Sequence, residues 1–183
     1  MPEVSEEARI TNFLMKKDLV SLLNGIFGFY AIYFFIQGML ETGLVMLLFA
    51  LLMDTLDGEV ARRFFTTTEF GKRMDIADLI SFGAAPAIFI LVWLSPATIM
   101  EEIVLHAAAI TLVSAEILRL ARFQTRESDG SYFLGIPGTA TGILYPVLYL
   151  IDPGIYPVAI LTFATGLMMV SSFKFPIKPK RLK

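Results

Sequence analysis

The chain has 183 residues, 56% of them hydrophobic and only 17% charged, with a mean hydropathy of +0.69. That is too apolar and too poor in charge for a soluble domain, which runs at about 45–50% apolar and about 25% charged. The absence of cysteine excludes disulfide, zinc–thiolate and iron–sulfur frameworks, the single histidine (His106) excludes a multi-histidine metal centre, and a net charge of −2 gives no basic excess for nucleic acid.

The class that remains is an all-α integral membrane protein, and the length fits a single domain over residues 1–183. Residues 8–17 read as a short interfacial helix: Ile10, Phe13 and Leu14 share a face at helical spacing beside Arg9, Lys16 and Lys17. The acidic start (Glu3, Glu6, Glu7), with no small-residue cleavage site after the apolar run, is unlike a secretory signal. Six stretches then approach the roughly 20 apolar residues that a spanning helix needs. They are expected at about Leu19–Met39, Gly43–Arg62, Asp75–Leu94, Ile103–Arg122, Phe133–Ile151 and Tyr156–Phe173. Turn chemistry separates several of them: Gln37-Gly38, Ser95-Pro96 and Asp152-Pro153-Gly154.

Lysine and arginine set the orientation. Arg9, Lys16 and Lys17 precede the first span. Arg62, Arg63, Lys72 and Arg73 lie between the second and third, and Arg119, Arg122 and Arg126 follow the fourth. Lys174, Lys178, Lys180, Arg181 and Lys183 form a basic tail drawn to anionic headgroups, and these residues account for all 15 basic side chains. The other three connections carry none, only Glu41, Glu101, Glu102 and Asp152. A multi-pass protein of the cell membrane with six spans and both termini cytoplasmic is the expectation.

Ionisable groups are costly inside a bilayer, at least about 2.5–3.5 kcal/mol each near its centre, yet this chain clusters them. Asp54 and Asp57 lie three apart at the end of the second span, and Asp75 and Asp78 three apart at the start of the third. On two antiparallel helices each pair occupies one face, so the four carboxylates make an oxygen-rich pocket at the cytoplasmic interface. Their mutual repulsion calls for a hard divalent cation. Gly58 and Ala61 leave space for close approach, and Arg62 brings a guanidinium suited to phosphate. Together these residues point to phosphoryl-group chemistry. Intramembrane carboxylates would also suit a divalent-cation transporter, but acids near mid-membrane and an internal repeat, which transporters favour, are missing.

The run Asp54-x2-Asp57-Gly58-x2-Ala61-Arg62-x8-Gly71-x3-Asp75 resembles the signature of the CDP-alcohol phosphatidyltransferases, D-x2-D-G-x2-A-R-x8-G-x3-D-x3-D. The chain departs at one place: two residues, not three, separate Asp75 from Asp78. Ser81-Phe82-Gly83 and Pro86 then continue like the family's own stretch and align Asp78 with its last aspartate. Arg119-Leu120-Ala121-Arg122-Phe123 and Phe133-Leu134-Gly135-Ile136-Pro137 are similar to the phosphatidylserine synthase branch, with Gln124 and Ile136 where Asn and Leu are usual.

The resemblance implies transfer of a phosphatidyl or archaetidyl group from a CDP-lipid to a small alcohol, with release of CMP, by a homodimer. The branch implies serine; glycerol phosphate or inositol phosphate is the alternative acceptor. Mg²⁺ or Mn²⁺, one ion or two, would be held by Asp54, Asp57, Asp75 and Asp78. Asp54, Asp57, Gly58, Ala61, Arg62, Gly71 and Asp75 would take the CDP-lipid, and Asp78 would be the general base. Arg119 and Arg122 are candidates for the acceptor's carboxylate. Other residues have plainer readings. Asn24 and Ser21 suit an interhelical hydrogen bond, Glu116 a pair with Arg119, and His106 packing near the external end. Gly135, Gly138, Ala140 and Gly142 suit a small-residue face on the fifth span.

Overall fold

A computed structural model describes residues 16–64, 76–125 and 132–176. Six helices follow in order: α1 (Lys16–Ile36), α2 (Leu40–Phe64), α3 (Ile76–Trp93), α4 (Ile99–Thr125), α5 (Thr139–Ile151) and α6 (Ile155–Val170). Two three-residue strands, β1 (Tyr132–Leu134) and β2 (Lys174–Pro176), pair antiparallel with Phe133 opposite Phe175. The interfacial helix expected at residues 8–17 lies outside the described residues except for its last two positions, which open α1.

Helices form where the apolar runs predict them, and backbone chemistry ends them. Gly38, at φ 75°, closes α1: its N–H and that of Met39 return to the carbonyls of Phe35 and Phe34. Asp152 ends α5 at φ 46°, its N–H bonded to the Leu148 carbonyl. The fifth span differs from expectation. Residues 133–138 are not helical, and α5 starts only at Thr139. Gly135 takes φ 72° against the Met168 and Met169 carbonyls, and Pro137 follows two residues later, so no helix can run through this stretch. Gly135 and Gly138 therefore lie ahead of the helix, and Gly142 remains as its close-packing glycine, against Phe82 and Leu51. The basic tail also departs from a purely headgroup-bound segment, because its first three residues form β2.

Among the described residues, α1, α3 and α4 are long and apolar enough to cross a membrane. At 25 residues α2 has the length, about 37 Å, but the acids near its end break the apolar run. With 13 and 16 residues, α5 and α6 are apolar but shorter than the roughly 30 Å of bilayer hydrocarbon. Large apolar side chains cover the outer surface, among them Ile99, Ile110, Leu118, Leu150 and Leu167. A bilayer is the environment that suits so much exposed hydrocarbon.

α1 packs along α2 and α4 along α6, while α3 lies between them against α1, α4 and α5. Half of α3 is buried, compared with 28% of the apolar stretch of α1. At its C-terminal end an aromatic knot ties the bundle: Phe89 lies 4.9 Å from Phe35 and 5.2 Å from Trp93, and Trp93 lies 5.6 Å from Tyr149. The N-terminal end of α3 is polar and held by small residues. Gly28 on α1 faces Ser81 so closely that a Cβ there would collide with Ser81 Oγ and lie 2.8 Å from its Cα. Gly28→Ala is therefore expected to wedge α1 from α3 and cost about 1–3 kcal/mol, read as a lower melting midpoint in detergent. An unchanged midpoint would contradict this packing.

Candidate active site

α3 begins with one short α turn, Ile76–Asp78, and widens at once into a π segment, Leu79–Ala84, before resuming as α from Ala85 to Trp93. A π turn leaves backbone groups out of the usual ladder and often marks a functional position. Here the Phe82 carbonyl accepts the Thr141 hydroxyl of α5, and Ser81 Oγ donates to the Asn24 carbonyl of α1. These bonds fix the start of α3 against two neighbouring helices.

Asp78 sits where this framework meets α4. Asn24 Nδ2 donates to its Oδ1 at 2.8 Å, and the Arg119 Nη2 lies 3.9 Å from its Oδ2. Arg119 is held by Glu116 one turn earlier: Nε reaches Oε2 at 2.9 Å and Nη2 reaches Oε1 at 2.6 Å. Glu116 is fully buried, and a fork-to-fork pair is the geometry that makes such burial tolerable. Two glycines shape its slot. A Cβ on Gly83 would lie 3.3 Å from the Glu116 stem, and one on Gly138 would lie 2.5 Å from Oε1 and 2.8 Å from Arg119 Nη2. Asp54, on α2, also acts electrostatically on the Arg119 cation. One acid of α3 and one of α4 thus flank the Arg119 guanidinium.

Asp57, Ala61 and Arg62 fall on α2, but their side chains, like Gly71 and Asp75 altogether, lie outside the described residues. Gly58 is on α2, one turn beyond Asp54, and partly buried. Among the described residues no three acidic or histidine side chains gather as a metal site; two of the four expected carboxylates are outside that set. The donors that are described, Asp54 and Asp78, are carboxylate oxygens of the type that suits Mg²⁺ or Mn²⁺.

Arg122 goes elsewhere. Its Nη1 donates to the carbonyls of Val170 and Ser171, and its Nη2 to those of Leu134 and Met169, at 2.8–3.1 Å. It caps the C-terminus of α6 and ties that end to β1, a contact favoured by the helix dipole. Of the two arginines proposed for the acceptor, only Arg119 is brought to Asp78. His106 is exposed, with Nδ1 2.9 Å from the Glu102 carbonyl, in the N-terminal part of α4 and so away from Arg119.

A model of the CDP-alcohol phosphatidyltransferase family matches residues 17–173. The archaetidylserine synthase of Methanothermobacter thermautotrophicus is 35% identical over 176 residues, covering 93% of this chain and 73% of that protein. The CDP-diacylglycerol–serine O-phosphatidyltransferase of Methanocaldococcus jannaschii is 30% identical over 174 residues, covering 94% and 79%. That of Bacillus subtilis is 27% identical over 160 residues, covering 86% and 88%. With Asp54, Asp57, Gly58, Ala61 and Arg62 of the signature on α2, Asp78 at the head of α3, and a match along most of its length, the chain belongs to the CDP-alcohol phosphatidyltransferase family and is an enzyme of that class.

Proposed function

We propose that the enzyme transfers the phosphatidyl or archaetidyl group of a CDP-lipid to the hydroxyl of L-serine and releases CMP. The observation that carries this reading is Asp78, fixed between the Asn24 amide and the Arg119 guanidinium. A base and a carboxylate-binding cation side by side suit an acceptor that presents a hydroxyl and a carboxylate together. The names of the relatives, archaetidylserine synthase and CDP-diacylglycerol–serine O-phosphatidyltransferase, agree with serine as that acceptor.

In this reading Asp78 takes the proton of the serine hydroxyl. The hydroxyl oxygen forms a bond to the lipid-side phosphorus, the bond from that phosphorus to the CMP oxygen breaks, and CMP leaves with the electron pair. Arg119 holds the serine carboxylate, and Glu116 keeps the guanidinium in place. Asp54, Asp57, Gly58, Ala61, Arg62, Gly71 and Asp75 would take the cytidine and diphosphate of the CDP-lipid, the role that the family signature implies for them. Asp54, Asp57, Asp75 and Asp78 would hold Mg²⁺ or Mn²⁺, one ion or two, which would supply positive charge for the diphosphate. The site faces the cytoplasm in a homodimer whose subunits each have six spans and both termini inside, an orientation supported by the distribution of lysine and arginine.

Product analysis tests the reading. Purified enzyme given CDP-lipid with equal concentrations of L-serine, glycerol phosphate and inositol phosphate is expected to put the lipid phosphate on serine, with one CMP released per product. Transfer to a phosphorylated alcohol in preference to serine would refute the assignment.

A further inference from the structure

Asn24 is 2% exposed, yet its Oδ1 is the one buried side-chain polar atom without a hydrogen-bond partner among the described residues. Leaving such an acceptor unmet costs about 1–3 kcal/mol. Exchanging the amide's nitrogen and oxygen would not remove that cost, because Oδ1 would then face the Asp78 oxygen that Nδ2 now serves at 2.8 Å. The backbone cannot yield either: the Asn24 carbonyl is already engaged by Ser81 Oγ at 3.0 Å, and Gly25, the next residue, abuts Ala77. The asparagine is locked with its oxygen free, beside a carboxylate and across from a guanidinium.

We infer that Asn24 Oδ1 is the acceptor for the ammonium group of the amino-alcohol substrate, and so a specificity-determining residue of this enzyme. The inference rests on the serine reading above and adds the group that tells serine from an acceptor without an amine. Asp78 lies between an amide on α1, whose nitrogen it accepts from and whose oxygen is unmet, and a cation on α4. A zwitterionic α-amino acid carrying a β-hydroxyl matches that order. Its hydroxyl meets Asp78, its carboxylate meets Arg119, and its ammonium, on the carbon next to the hydroxyl-bearing one, meets Asn24. Recognition by a buried polar atom discriminates strongly, since an analogue lacking the donor leaves that atom unpaired.

The test is equilibrium binding of L-serine and of 3-hydroxypropanoate, which is serine without its amine, to the full-length detergent-solubilised protein with CMP and Mg²⁺ present. In the wild type serine is expected to bind about ten- to a hundredfold more tightly than the analogue. In Asn24→Ala that preference falls to within about threefold, through weaker serine binding and little change for the analogue. Asn24→Leu, which fills the volume, is the second variant should alanine fail to fold, with the same expectation. Equal losses for both ligands would show that Asn24 only supports Asp78, and would overturn the inference. An unchanged preference together with weaker Mg²⁺ binding would overturn it in favour of a metal ligand. If the wild type binds no serine, the serine reading itself falls; if it binds serine but the preference survives in both variants, this inference alone falls.

Discussion

Replacing Asp78 with asparagine is expected to lower turnover with serine by about 10²–10⁴-fold, the usual contribution of a positioned general base, and to move the KM for serine far less. The substitution preserves shape: the new side-chain oxygen can still accept from Asn24 Nδ2, so the bundle should melt normally. What disappears is the oxygen able to take a proton, and in its place an amide donor points toward Arg119. The measurement is steady-state CMP release at saturating CDP-lipid. Turnover within about threefold of the wild type, small beside the general-base effect, would remove Asp78 from the base role.

Arg119→Met should have the largest effect on stability. Glu116 is fully buried, and both of its oxygens are engaged by Arg119. Removing one partner of a buried pair leaves an uncompensated charge, at a cost of about 3–5 kcal/mol. The double variant Glu116→Gln/Arg119→Met should recover much of that loss, because no charge is then stranded. It should not recover serine binding, because the guanidinium is still missing. Stability and affinity therefore separate in the double variant. A single variant that melts like the wild type would mean that the pair does not hold the site together.

Much of this arrangement can be read from the residues. The apolar runs locate six helices with ends displaced by a few residues, because hydrophobic length and Gly or Asp-Pro-Gly punctuation act locally. The exception is the fifth. Its apolar character begins at Phe133, but Gly135 and Pro137 delay the helix to Thr139, so a backbone constraint overrides the hydropathy. The π segment after Asp78 leaves no periodic signature, since six residues are too few to shift a pattern; the irregular spacing of Asp75 and Asp78 was the only disturbance near it. Within the site, the Asp54 and Asp78 positions and the Glu116–Arg119 pair follow from helical spacing. Arg122 could not be told from Arg119 by spacing, because its partners are carbonyls 12 to 49 residues away. Asn24 read as a plain interhelical bond, and its nitrogen does make one. That its oxygen is left unmet depends on what surrounds it in three dimensions.

The proposed chemistry needs Asp54, Asp57, Asp75 and Asp78 to share a hard cation at the diphosphate of the CDP-lipid. Mn²⁺ paramagnetic resonance on the full-length protein with CDP-lipid bound tests this most directly. The expected result is protein-bound Mn²⁺ coupled to phosphorus, with the bound signal lost in Asp54→Asn and in Asp75→Asn. A wild-type spectrum of free Mn²⁺ only, or binding that both variants leave intact, would contradict the account.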